Sequence, residues 1–225
     1  MSEARRPANR YSQLIEDIFH RHYQEGLEEL YFARDEIIQT AEALGIDLPK
    51  NVGDVLYTFR YRARLPESIR QTETQGQEWV IRPAGRGQYC FALTSVASLV
   101  PSMLLAETKI PDATPGIIAK YSLNDEQALL AKLRYNRLID VFMGITCYSL
   151  QNHLRTSVPG LGQVETDELY VGVDRRGVQY VIPVEAKASR EKLGVVQVEQ
   201  DLALCQHKFP SLVCVPVAAQ FMEDE

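Results

Sequence analysis

Apolar residues near the start of the chain recur at steps of three and four. Leu14, Ile15, Ile18, Phe19 and Tyr23 form one stripe and predict a helix from Tyr11 to Gly26, after a polar, frayed stretch over residues 1–10. Leu27, Leu30, Tyr31, Ile37, Ile38, Ala41 and Leu44 continue the spacing, so a second helical run is expected over 27–44, stopped by Gly45. Asn51 stands where it would cap a third short helix over 52–61, with Val55, Leu56 and Phe59 inward. The period then shortens to two. Trp79-Val80-Ile81-Arg82 and Tyr89-Cys90-Phe91-Ala92-Leu93 flank Pro83-Ala84-Gly85-Arg86-Gly87 and read as a hairpin. Three helices and then a hairpin is the order of a winged helix, and equally that of an ordinary α+β cap on a second domain.

Residues 101–124, with Pro101, Pro111 and Pro115, read as a connecting stretch. Asn124 or Asp125 then caps a helix whose apolar side runs through Leu129, Leu130, Leu133, Leu138, Val141, Phe142 and Ile145 towards Leu150 and Leu154. Two strands are expected over 164–173 and 179–186, joined at Asp174-Arg175-Arg176-Gly177. A helix over 194–207 and a last strand over 212–219 complete an α/β order, α+β for the whole chain. The expected organisation is a helical part with a hairpin over 1–100, the connection over 101–124 and an α/β domain over 125–225.

Charge changes the picture only when taken by segment. The net charge of −6 argues against a protein that coats nucleic acid through positive charge alone. The acid excess sits at the ends, ten acids to six bases over 1–50 and eleven to six over 161–225. Over 51–100 six arginines face four acids. Cys90, Cys147, Cys205 and Cys214 form no C-x-x-C pair and no zinc pattern, so reduced thiols are expected. The apolar stretch over 91–106 is broken by Thr94, Ser95, Ser98, Pro101 and Ser102, and the first residues lack an apolar core. A cytoplasmic protein that does not engage a membrane is the expectation.

The chemistry concentrates on the two strands before the 194–207 helix. Alternate residues of a strand share a face, so Glu185 and Lys187 project together, as do Glu165 and Asp167 on the preceding strand. If the strands pair across their turn, carboxylates and one lysine converge at the end of otherwise apolar strands. Hard divalent cations take oxygen ligands and need only one or two carboxylates. A lysine beside them can orient a water and offset phosphate charge. The bland alternative is a set of solvated strand-end charges of little energetic consequence.

An acid at a strand start, a hairpin, then Glu185-Ala186-Lys187 ending an apolar strand resembles the core of the PD-(D/E)XK nuclease superfamily, the restriction-endonuclease-like fold, over residues 125–220. Thr166 stands where the family pattern has proline. The resemblance implies a mixed sheet flanked by helices, and Mg²⁺ (or Mn²⁺) held by Asp167, Glu185 and the backbone carbonyl of Ala186, with Lys187 serving the water nucleophile. Glu165 is an additional candidate ligand. Some members add a polar residue from the following helix, where Gln197 comes first and Gln200 second; others use a carboxylate from the preceding helix, here Asp140 or Glu126.

Gln151, Asn152 and His153 are expected at the end of the preceding helix, within reach of phosphate. Arg60, Arg62 and Arg64, with Tyr57, Tyr61 and Trp79 nearby, suit phosphate contact and stacking on DNA; the alternative pairs these arginines with the acids of residues 12–47. The expected function is a Mg²⁺-dependent endonuclease acting on DNA, of restriction or phage-defence type, working as a homodimer to cut both strands. The competing readings are a DNA-binding or regulatory protein that keeps the fold without turnover, and an interaction module with incidental charges.

Overall fold

A computed structural model describes residues 10–99, 104, 107–122, 125–187 and 193–222. The polar first nine residues and the Asn124 cap lie outside them. The protein is mixed α/β, and its chain divides into two compact units. The first comprises Met1–Ser98, Pro159–Gly162 and Gly194–Val196; the second comprises Leu99–Val158, Gln163–Leu193 and Gln197–Glu225.

In the first unit, α1 (Arg10–His22) is followed by β1 (Glu29–Ala33), α2 (Arg34–Leu44), α3 (Gly53–Tyr57) and a π-helical turn (Thr58–Arg62). A short α4 (Glu67–Arg70) precedes the hairpin of β2 (Glu78–Gly85) and β3 (Gln88–Thr94). Leu14, Ile15, Ile18 and Phe19 form the buried stripe of α1, each fully withdrawn from solvent. Burying such a side chain is worth about 1.5–3 kcal/mol, so this stripe anchors the unit. Phe19 meets Trp79 and Phe91 edge-on at 5.2 Å, which closes the helices onto the sheet.

The second helical run expected over 27–44 begins instead as a strand. Glu29 and Tyr31 are exposed while Leu30 and Phe32 are buried, a two-residue alternation, and β1 pairs antiparallel with β3 to give the order β1-β3-β2. Leu27, Leu30 and Tyr31 fit either period over so short a stretch, and strand pairing decides it.

Two-residue strands β4 (Ser98–Leu99) and β8 (Leu193–Gly194) accompany the remaining elements. In the second unit, α5 (Gly116–Tyr121) interrupts what composition alone marks as a connecting stretch. Then follow α6 (Asp125–Tyr135), α7 (Leu138–Met143), β5 (Thr146–Val158), β6 (Gly162–Val173), β7 (Gln179–Lys187), α8 (Val195–Lys208), β9 (Val213–Cys214) and β10 (Val217–Gln220). The sheet runs β10-β7-β6-β5, and β9 also pairs with β7. It is mixed: β6 and β7 are antiparallel, whereas β9 and β10 lie parallel to β7.

The single helix expected from residue 125 towards Leu154 is divided. Arg137 takes the left-handed φ of 51° and Gly144 a φ of 66°, ending α6 and α7 in turn. Beyond Gly144 the chain is strand, so Gln151, Asn152 and His153 lie within β5 and not at a helix end. Leu129, Leu130, Leu133 and Ile139 pack against Tyr170, Ile182, Val184 and Ala186, one face of the sheet. The last expected strand, 212–219, is two short ones, split around Pro216.

No helix among the described residues is long and apolar enough to cross a membrane. The four cysteines are free thiols.

Candidate metal and phosphate site

The β6–β7 turn sets the geometry of the candidate site. Asp174 Oδ1 accepts the backbone N–H groups of Arg176 at 2.8 Å and Val178 at 2.9 Å, and Gly177 adopts φ 84°, a left-handed conformation that favours glycine. This closure fixes the register from Val173↔Gln179 to Glu168↔Val184. One step further, Asp167 faces the Glu185–Ala186 segment, and Asp167 Oδ2 accepts the Ala186 N–H at 2.9 Å.

Glu185 is 4% exposed, and its Oε2 accepts a hydrogen bond from Gln197 Nε2 on α8 at 2.8 Å. Lys187 Nζ lies 3.8 Å from Glu185 Oε2 and 4.0 Å from Glu126 Oε1 of α6. The structure thus brings Asp167, Glu185, Lys187 and Gln197 together, and adds Glu126 at the rim. Ala186, whose carbonyl is an expected ligand, is the buried residue between the two charged ones. Gln200 is also buried on α8.

A further acid, Asp201, completes the group. It follows Gln197 by four residues, so both project from one face of α8. Asp201 is 1% exposed. Burial pushes the carboxyl of Glu185 well above the usual carboxylate range, reinforced by the charges of Asp201 and Asp167 and opposed by Lys187. Burial and Asp167 likewise raise Asp201, against the pull of the nearby Thr166 hydroxyl and of Lys187.

Among the described residues no three His, Cys, Asp or Glu side chains are set to hold a metal by themselves. The donor set nevertheless fits a hard cation that keeps its waters. It offers oxygen ligands, two carboxylates on adjoining strands, and buried oxygens, both of Asp201 and Gln197 Oε1, that have no partner at hydrogen-bond geometry among the described residues.

Glu165 does not join this group. Its Oε2 accepts from Arg155 Nη2 at 2.6 Å and from Nε at 2.9 Å, and its other oxygen lies 3.8 Å from His153 Nδ1. Glu165 and Asp167 share a face of β6, as expected, but the Arg155 pairing turns the Glu165 carboxylate along β5. Asp140 is occupied as well, accepting the Cys147 N–H at 3.0 Å and pairing with Arg137. Asn152 Oδ1 accepts from Arg134 Nη2 at 2.9 Å, and exposed His153, at φ 47°, meets Gln127 at 3.1 Å through its Nε2. On the opposite face from Glu185, fully buried Glu168 binds Arg134 at 2.8 Å, an ion pair across 34 residues that no local spacing signals.

In the first unit, Arg60 lies over Tyr61 at 4.8 Å and Arg62 over Tyr57 at 4.9 Å, with the two tyrosines 4.8 Å apart. None of the ion pairs among the described residues joins Arg60, Arg62 or Arg64 to an acid. Trp79 is not available for stacking on a base: it is 4% exposed and its Nε1 donates to Thr72 Oγ1 at 3.0 Å.

No family model, curated protein or solved structure matches this chain.

Proposed function

We propose that the protein is a metal-dependent endonuclease that hydrolyses DNA phosphodiester bonds at Asp167, Glu185 and Lys187. The observation that carries this reading is the convergence of Glu185, Lys187 and Gln197 beside Asp167, at the end of the β6–β7 strand pair. Placing three carboxyl groups, those of Asp167, Glu185 and Asp201, around Lys187 is costly for a structural purpose alone, because buried charge needs a compensating partner. A mixed sheet flanked by helices, as the restriction-endonuclease-like resemblance implies, is consistent with α6 packing on one face and Gln197 of α8 reaching Glu185 from the other.

Asp167 and Glu185 would hold a divalent cation, with the Ala186 carbonyl between them. Such an ion supplies a bound water of lowered pKa and offsets charge on the scissile phosphate. Lys187, whose ammonium lies 3.8 Å from Glu185, would donate to the attacking water and the phosphate oxygens. Gln197 fixes the Glu185 carboxylate through its amide. Water oxygen would bond to phosphorus as the bond to the 3′ oxygen breaks; the water proton leaves to solvent, the departing 3′ oxygen takes one from solvent, and the products carry a 5′-phosphate and a 3′-hydroxyl.

The first unit would engage the DNA backbone through Arg60, Arg62 and Arg64. There the order α1-β1-α2-α3-α4-β2-β3, with a π-helical turn after α3 and β1 completing a three-stranded sheet, is compatible with a winged helix. A homodimer would supply two such sites for double-strand cutting.

Incubating the full chain with supercoiled and linear DNA in Mg²⁺, in Mn²⁺ and in EDTA tests this reading. The expected result is cleavage in either metal, none in EDTA, and ends that ligate without prior phosphorylation. DNA retained without cleavage in any metal would replace the enzyme by a DNA-binding protein without turnover.

A further inference from the structure

Buried polar atoms without partners lie close to Glu185 among the described residues. Asp201 Oδ1 and Oδ2, Gln197 Oε1 and Thr166 Oγ1 are buried atoms without a partner at hydrogen-bond geometry among the described residues. The donors near them are the Thr166 hydroxyl beside Asp201, the Lys187 ammonium, 3.8 Å from Glu185, and the Gln197 amide, already donated to Glu185. A withdrawn carboxyl group whose oxygens lack partners at hydrogen-bond geometry is costly for a fold to hold in either protonation state. It persists where something brought to the site supplies the missing protons. Water molecules on a divalent cation do this, because Mg²⁺ keeps several of them and each presents polarised O–H groups. A direct ligand role for Asp201 is disfavoured, since no three such side chains converge as a ligand set among the described residues.

We propose that Asp201 is a positioning residue: its buried carboxylate accepts hydrogen bonds from the waters of a divalent cation held by Asp167 and Glu185, and so sets how tightly that cation is bound. The inference rests on the reading of Asp167 and Glu185 as cation ligands. Asp201 suits the role by placement. It projects from the same face of α8 as Gln197, one turn further on, near Thr166 on the strand that carries Asp167. Partners beyond the direct ligands orient them and tune affinity, and removing one typically costs 10–100-fold in metal binding.

The test is a titration of the full chain with Mn²⁺, read as the disappearance of the free-ion electron paramagnetic resonance signal. It is run for the natural protein and for Asp201→Asn, with thermal unfolding measured in EDTA. The expected result is about 10–100-fold weaker Mn²⁺ binding in the variant, with an unfolding midpoint in EDTA equal to or above that of the natural protein. Asp201→Ser carries the same comparison where the asparagine amide is not accommodated. Equal Mn²⁺ affinity in the variants overturns the proposal alone. So does a lowered midpoint in EDTA or a failure of both variants to fold, which assigns Asp201 a structural role. If the natural protein binds no Mn²⁺, both this proposal and the cation reading of Asp167 and Glu185 fall.

Discussion

Asp167 Oδ2 takes the backbone N–H of Ala186 at 2.9 Å, immediately beyond the last ladder pair, Glu168↔Val184. A side chain thus occupies a position that a backbone carbonyl would fill in a continuing ladder, and β6 parts from β7 where Glu185 and Lys187 project. The same hydrogen bond that ends the strand pairing anchors a carboxylate in the candidate site.

That double role separates two substitutions. Asp167→Asn retains an oxygen for the Ala186 N–H and removes only the charge, so thermal stability should stay close to that of the natural protein while metal-dependent cleavage falls by at least about 100-fold, the low end of the effect when a group acting at the transition state is removed. Asp167→Ala should reduce cleavage to the same degree and in addition cost about 0.5–1.5 kcal/mol of stability with its hydrogen bond. Calorimetry and a cleavage assay on both variants check this.

The buried acids predict an uncommon pH dependence. Glu185 and Asp201 have carboxyls raised by burial, so the folded protein holds protons that the unfolded chain has already released. Their contribution is fully present below the ordinary carboxylate pKa near 4 and is lost as pH rises towards the raised values. Metal-free stability should therefore decline from about pH 5 upwards, by at most about 1.4 kcal/mol per pH unit for each proton retained. Asp201→Asn should flatten the decline; denaturant melts in EDTA at several pH values read it directly.

The turn is a remote control on the site. Gly177 holds φ 84°, and an alanine there is strained by about 1–2 kcal/mol. Gly177→Ala should lower stability by about that amount and weaken cleavage more than it weakens DNA binding, because the register it protects aligns Asp167 with Glu185. Comparing unfolding midpoints, cleavage rates and DNA affinity of the two proteins tests the coupling.

In the proposed reading, Arg60, Arg62 and Arg64 would engage DNA through charge. A triple alanine variant should bind DNA more weakly and with a shallower salt dependence, by about 0.9 in the logarithmic slope for each phosphate it no longer neutralises. An unchanged slope would remove these arginines from the interface.

Local chemistry makes part of this arrangement legible in the sequence. The Asp174-Arg175-Arg176-Gly177 turn and its two apolar strands stand out because turn residues and period-two burial depend on near neighbours. Glu185 and Lys187 follow from strand alternation, and Gln197 from the helix that comes next. Residues 29–33 and 146–158 resist such a reading, because Leu30, Tyr31, Leu150 and Leu154 also fit a helical step; which period wins depends on pairing with distant strands, such as β1 with β3. Alternation alone makes Glu165 equivalent to Asp167, but Arg155 on the neighbouring strand claims it. Asp201 carries one signal in the sequence, its place four residues after Gln197 on the same helix face. The depth of its burial, which makes it matter, is a tertiary fact.

Lys187 offers the most direct test of the central claim, since it supplies an ammonium at the candidate site while leaving the carboxylates in place. Plasmid DNA is incubated with the natural protein and with Lys187→Ala at equal, saturating Mn²⁺, and the initial rates of nicking and linearisation are compared. The account predicts cleavage by the natural protein and a drop of at least about 100-fold in the variant, the low end of what a positioned catalytic group contributes, with DNA still bound. Equal rates in the two proteins, or no cleavage by the natural protein in any divalent metal, would contradict it.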